Sequence, residues 1–131
     1  MARICQRGRW GPEVVGPSAA EAASLATGEI WLAQLDPTVG SEIQKTRPCV
    51  LISPPEMLKH LRTVIVAPMT TGSRPAAFRV PITFKGKTGL ILLDQIRTLD
   101  KTRLVRREGA VHGTTLKRTL VTLQTLFAPE N

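Results

Sequence analysis

Residues 78–93 read Phe78-Arg79-Val80-Pro81-Ile82-Thr83-Phe84-Lys85-Gly86-Lys87-Thr88-Gly89-Leu90-Ile91-Leu92-Leu93. Phe78, Val80, Ile82 and Phe84 share one face of an extended chain, with Arg79, Pro81 and Thr83 on the other, the alternation of a half-buried strand. Pro81 has no N–H for a ladder, so this strand belongs at a sheet edge or a bulge. The run from Lys85 to Gly89 turns the chain into a second, apolar strand over residues 90–93. A β-hairpin is thus written into the middle of the chain.

Further short strands surround it. Residues 29–35 (Glu-Ile-Trp-Leu-Ala-Gln-Leu) form a first strand closed by Asp36-Pro37. Residues 48–52 are apolar almost throughout, which suits a central strand. Residues 63–67 make a third strand, with a short helical turn opened by Pro54-Pro55 before it and a polar loop over 70–75 after it. Residues 95–99 continue as an extended piece, and 106–111 form a last strand. Toward the C-terminus the period changes: Leu116, Leu120, Leu123 and Phe127, with Val121 and Leu126 alongside, recur at helical spacing behind a cap at Gly113 or Thr114. The expected fold is α+β, mainly β: a small, strongly curved antiparallel barrel-like sheet with short helices and a C-terminal helix. Residues 1–27, broken by Gly8, Gly11-Pro12 and Gly16-Pro17, read as a loosely ordered extension with a short helix over 19–26 behind the capping-box spacing of Ser18 and Glu21. Residues 28–131 form the domain.

With 131 residues the chain suits one domain able to bury a core. Its net charge of +8 favours polyanionic partners, nucleic acid among them. Cys5 and Cys49 make no disulfide framework, no apolar stretch reaches membrane-spanning length, and the N-terminus lacks the apolar segment of a secretory signal; the expected address is the cytoplasm.

Arg47 stands between the loop of residues 36–46, which has few apolar anchors, and the central strand; the following Pro48 holds its backbone extended. Thr70 ends the next strand. A guanidinium with its fixed fork of donors and a threonine hydroxyl, each at a strand end, can bracket a phosphate. The alternatives are an arginine held by a carboxylate and a turn threonine satisfying its own backbone. The two histidines, His60 and His112, form no catalytic pair, and the carboxylates show no metal-ligand spacing; neither metal nor cofactor is expected. Nine Lys/Arg against three Asp/Glu fall between Lys85 and Arg118, a surface suited equally to a nucleic-acid backbone, an acidic protein tail or plain solvation.

The runs Gly28-Glu29-Ile30-Trp31-Leu32, Leu35-Asp36-Pro37-Thr38-Val39-Gly40-Ser41-Glu42 and Thr46-Arg47-Pro48 resemble the MazF/PemK family of toxin ribonucleases. So do Val66-Ala67-Pro68-Met69-Thr70-Thr71 and Leu93-Asp94-Gln95-Ile96-Arg97-Thr98-Leu99-Asp100. The resemblance implies a homodimer that cuts single-stranded RNA sequence-specifically without a metal, leaving 2′,3′-cyclic phosphate and 5′-hydroxyl ends. It also implies a cognate antitoxin that blocks the RNA groove. Carried onto this chain, Arg47, Thr70 and Glu42 are the expected catalytic residues. Thr38, Gly40, Ser41, Lys45, Thr71, Asp94 and Gln95 are the expected substrate contacts. One branch of the family has an arginine two residues before its Asp-Gln pair; Leu92 stands there, so an arginine–threonine site is expected over an Arg–Asp pair on Asp94. Two other classes fit less of the pattern: a non-catalytic basic barrel that binds RNA, and a protein-contact inhibitor of a topoisomerase-like target.

Overall fold

The apolar run at Cys49-Val50-Leu51-Ile52 is unbroken because both of its faces are buried. Cys49 and Leu51 enter one core with Trp31, Ala33, Leu58, Val64, Val66, Leu99 and Leu104. Val50 and Ile52 enter a second core with Ile30, Ala67, Met69, Val80, Ile91 and Val111. Successive strand residues point to opposite sides, so a sheet covered on both faces reads as continuous hydrophobic sequence.

The computed structural model describes residues 17, 18, 20, 21 and 24–130. In chain order the elements are β1 (Glu29–Gln34), β2 (Thr46–Leu51), α1 (Pro55–His60), β3 (Thr63–Thr70), β4 (Arg79–Phe84), β5 (Lys87–Leu92), β6 (Arg97–Asp100), β7 (Leu104–Ala110) and α2 (Gly113–Leu126). The strands run in the order β4-β5-β3-β2-β1-β7, all pairs antiparallel, with β6 on the other half of β3. The sheet curls into a half-barrel. Its edge strands β4 and β7 meet through side chains: Lys85 bonds Glu108, and a Cβ built on Gly109 would lie 3.3 Å from the Phe84 ring.

The hairpin is present, with Pro81 exposed on edge strand β4 as expected. Its turn is shorter than the sequence suggested: only Lys85 and Gly86, both at positive φ (51° and 77°), separate the strands. Positive φ at both central residues matches the twist of a tight hairpin. Residues 93–95 form a 3₁₀ turn instead of a strand, which swings Asp94 and Gln95 out of the ladder. Helix α2 starts behind His112 without a side-chain cap, with Gly113 and Thr114 already helical. Leu116 and Leu123 pack on the second core, whereas Val121, Leu126 and Phe127 stay exposed; Phe127 lies past the last turn, where the stripe no longer faces the sheet. Gly28, at φ +93°, carries the chain under this helix, where a Cβ would lie 2.9 Å from Leu116.

The capping box near the N-terminus is formed: the Ser18 N–H donates to Glu21 Oε1 at 3.0 Å and the Glu21 N–H to Ser18 Oγ at 3.1 Å. The rest of the helix expected over 19–26 lies partly outside the described residues, as do residues 1–16. Leu25 packs into the first core, and Thr27 donates to the Ser53 carbonyl.

Candidate functional site

Two prolines open the site. The β2–β3 register runs Leu51↔Val66, Val50↔Ala67, Cys49↔Pro68 and stops there. Pro48 and Pro68 have no N–H to extend the ladder. Continued by two residues, the same register would set Arg47 opposite Thr70, on the face of Cys49 and Pro68. The backbone of Arg47 pairs with Ala33 of β1, and that of Thr70 with Leu90 of β5. Each residue is therefore fixed by a different neighbour, and a cleft lies between them.

This cleft of about 360 Å³ is lined by Arg47, Thr70 and Thr71, by the apolar Met69, Ile82 and Phe84, and by Lys85, Lys87, Gly89 and Glu108. Arg47 Nε donates to the Gln44 carbonyl at 2.7 Å, which aims the guanidinium. Among the described residues no carboxylate pairs with it, and its two terminal nitrogens make no hydrogen bond. Thr70 Oγ1 accepts from the Gly72 N–H at 3.2 Å. The local turn reading is thus correct for that oxygen, and its own proton remains for a ligand. Gly89 sits on the floor, and a Cβ there would lie 2.7 Å from the Thr70 carbonyl oxygen. Only glycine lets β5 approach β3 this closely.

A second cleft, about 580 Å³, is lined by Val39, Ser41, Glu42, Ile43, Asp94, Gln95, Ile96 and Arg97. The tertiary fold thus separates residues expected to work together: Glu42, Ser41, Asp94 and Gln95 lie here, Arg47, Thr70 and Thr71 in the first cleft. The Glu42 carboxylate accepts from the Val39 N–H at 2.9 Å, closing a turn. Thr38 bonds Asp36; Gly40 and Lys45, both at positive φ, shape the loop path, and none of these three lines either cleft. One loop joins the two clefts. Its Ile43 packs on the first core and donates its N–H to Gln95 Oε1 at 2.6 Å, and the next residue, Gln44, holds Arg47. Ile43 is the apolar anchor that the sequence reading of this loop overlooked.

Asp94, in the 3₁₀ turn, pairs with Arg79 of β4 and not with a residue two positions before it. Arg79 Nε and Nη2 meet its two carboxylate oxygens at 3.2 and 2.9 Å, and Nη1 donates to the Arg74 carbonyl. The Arg79 hydrogen bond holds the Asp94 carboxyl below the usual carboxylate range. Sequence alone could not find this pair, since Arg79 reads as an outward strand residue with no motif around it. Lys85, Arg106 and Glu108 were missed in the same way. Glu108 meets Lys85 at 2.5 Å and Arg106 at 2.6 Å, and the two cations keep its carboxyl low. His60 and His112 are exposed and line neither cleft. Among the described residues no group of three His, Cys, Asp or Glu gathers where it could hold a metal ion, and no helix is long and apolar enough to cross a membrane.

Residues 26–127 match the family model of the PemK-like, MazF-like toxin of type II toxin–antitoxin systems. The chain is 37% identical over 111 residues to endoribonuclease PemK of Escherichia coli, covering 80% of this chain and 84% of that one. It is 41% identical over 86 residues to endoribonuclease MazF of Staphylococcus epidermidis, covering 61% and 72%. Among solved structures, the Mycobacterium tuberculosis toxin MazF-mt6 superposes with a TM-score of 0.65 at 24% identity, over 79% of this chain and 99% of that one. An endoribonuclease in complex with its cognate antitoxin, from a mycobacterial species, gives 0.68 at 23%, over 82% and 100%. These two structures bear on the fold.

Proposed function

From the premise that this chain belongs to the PemK-like, MazF-like toxin family and is an endoribonuclease, we propose that it cuts single-stranded RNA by attack of the substrate's own 2′-hydroxyl. The products are a 2′,3′-cyclic phosphate and a 5′-hydroxyl. Cleavage is sequence-specific and needs no metal, and through mRNA it stops translation and growth. The observation that carries this reading is the cleft lined by both Arg47 and Thr70, the arginine without a carboxylate partner among the described residues and the threonine with its hydroxyl proton unused.

In-line attack needs a proton removed from the 2′-oxygen, charge stabilised on the phosphorane, and a proton delivered to the leaving 5′-oxygen. The terminal nitrogens of Arg47 hold two phosphate oxygens, and the Thr70 hydroxyl donates to the same group, so both act where negative charge grows. Glu42 takes the 2′-hydroxyl proton once the loop lies along the bound strand, and water in the open cleft protonates the leaving 5′-oxygen. Its carboxylate then exchanges the Val39 N–H for the substrate. Thr71 flanks the scissile phosphate. Asp94, held in plane by Arg79, and the amide NH₂ of Gln95, whose oxygen is taken by Ile43, read base edges in the second cleft together with Ser41. Thr38, Gly40 and Lys45 contribute through the course of the loop.

The active form is a homodimer, supported by the exposed Val121, Leu126 and Phe127 on and just past α2. A cognate antitoxin neutralises it by covering the basic clefts, and it acts in the cytoplasm, where its RNA is. The first experiment is digestion of a long, mostly unstructured RNA in EDTA by wild type, Arg47→Ala and Glu42→Gln, with the 5′ ends mapped. The expected result is discrete cuts with 5′-hydroxyl ends, lost in Arg47→Ala and slowed in Glu42→Gln. Undiminished single-turnover cleavage by Glu42→Gln removes that residue from the chemistry. Activity abolished by EDTA and restored by magnesium refutes the metal-independent mechanism.

A further inference from the structure

The first cleft extends beyond what the cleavage step uses. Besides Arg47 and Thr70 it is lined by Lys85, Lys87 and Glu108 and by the apolar Met69, Ile82 and Phe84; along the β4–β5 ladder Gly89 pairs with Ile82 and Lys87 with Phe84. We propose that Lys85 and Lys87 form a second phosphate subsite, which grips the RNA backbone beside the scissile phosphate, and that Glu108 is the positioning residue that fixes Lys85. This rests on the reading of Arg47 and Thr70 as the place of the scissile phosphate.

Spacing supports it. Thr70 pairs with Leu90, and Lys87 lies three residues further along β5, about 10 Å at the rise of a strand. Thr71, whose Cγ2 would lie 3.6 Å from a Cβ on Gly89, reaches the face of β5 that carries Lys87, so a strand flanked by Thr71 in this cleft also meets the lysine. Lys87 and Gly89 share one face of β5, and the missing side chain at Gly89 leaves the path between them open. The lining also combines what a nucleic-acid strand needs, cations for phosphates and apolar side chains, Phe84 among them, for sugars and bases.

Glu108 is the informative group. A carboxylate facing an RNA cleft repels phosphate, so its presence there calls for a reason. Its side chain is 10% exposed, whereas those of Lys85 and Arg106 are 59% and 66% exposed: the acid sits inside with the cations fanned out above it. One ammonium proton of Lys85 goes to Glu108, leaving two for a ligand. The backbone of Lys85 is fixed as well, in the two-residue turn of the β4–β5 hairpin. A lysine anchored at both ends loses less freedom on binding than a solvated one. The clasp also adds a contact between the β4–β5 turn and β7, beside that of Phe84 with Gly109.

The test is binding of an uncleavable probe, a 2′-O-methyl 12-mer RNA of randomised sequence, followed by fluorescence anisotropy across a salt series. Each lost phosphate contact on a single strand lowers the log–log salt slope by about 0.7, so Lys85→Ala/Lys87→Ala is expected to lower it by about 1.4. Both lysines are exposed, and an unchanged melting curve will show that the variant is folded. Glu108→Gln separates positioning from simple charge. Removing an acid raises the net charge by one, so the overall field predicts tighter binding, whereas loss of the clasp predicts weaker binding and a raised KM with a smaller effect on kcat. An unchanged slope in the double variant, or equal or tighter binding by Glu108→Gln, overturns the proposal. So does a wild type whose lysines matter only for a 12-residue poly-glutamate peptide. Cleavage by Arg47→Ala is read separately. If that variant cuts RNA normally while the lysine variant loses its slope, the subsite stands and the assigned chemistry falls; the reverse pattern overturns the subsite alone.

Discussion

Gly89→Ala tests whether Thr70 works where the fold puts it. The added Cβ would lie 2.7 Å from the Thr70 carbonyl oxygen, against 3.4 Å where ordinary contact begins, so the strands must part by about 0.7 Å. The colliding atom is backbone and cannot rotate away. Strands β3 and β5 share only two register pairs, Met69↔Ile91 and Thr70↔Leu90, so the displacement falls on Thr70 itself. Forcing a methyl into a filled site costs about 1–3 kcal/mol. For a chain of this length that is a fall in Tm of about 4–12 °C. A shift approaching 1 Å in a catalytic group costs up to about a hundredfold in rate, so single-turnover cleavage is expected to slow about tenfold to a hundredfold. Gly113→Ala is the control, because nothing lies within 4 Å of its Cβ and its φ is ordinary; both readings should stay near wild type. The cycle with Thr70→Ala is decisive. Thr70→Ala alone should cost about 10²–10³ in rate, and Gly89→Ala should add little on top, since the group it displaces is gone. Wild-type rate and Tm in Gly89→Ala, or an equal further loss in the Thr70→Ala background, would refute the reasoning.

Further expectations concern the ionisable groups. The carboxyl of Asp94 is held low by Arg79, so the pair's stability is fully present above the unfolded carboxyl value of about 3.9 and is lost as pH falls through the lower folded value. Tm measured from pH 6 down to pH 2.5 should therefore drop more steeply for wild type than for Asp94→Asn, and parallel curves would contradict the pairing. Burial pushes the Cys49 thiol up to about 12. Iodoacetamide at pH 8 should leave the Cys49 peptide unmodified in the folded protein and label it in denaturant, as read by mass spectrometry.

The strands were legible because each signal is local. The 78–84 alternation, the prolines and the helical stripe from Leu116 to Leu123 depend on neighbours a few residues away, and each appears as an element in its expected place. The ends of elements were less so. The two-residue turn at Lys85–Gly86, the 3₁₀ turn over Leu93–Gln95 and the N-cap at His112 depend on hydrogen bonds that periodicity does not encode. At the site, the residues alone left Arg47 and Thr70 open between phosphate binding and local roles, and it was the family resemblance that singled them out.

The sequence by itself determined a curled antiparallel sheet, its family, and an arginine and a threonine at the ends of adjacent strands. Only the tertiary structure decided which groups share a cleft. It put Glu42, Asp94 and Gln95 in one cleft and Arg47 and Thr70 in another. It also paired Arg79 with Asp94 across 15 residues and Lys85 with Glu108 across 23. The physical reason is range. Backbone periodicity fixes which face a side chain takes, but whether two charged groups meet depends on register, twist and the curl that brings β4 to β7, and these belong to the whole sheet.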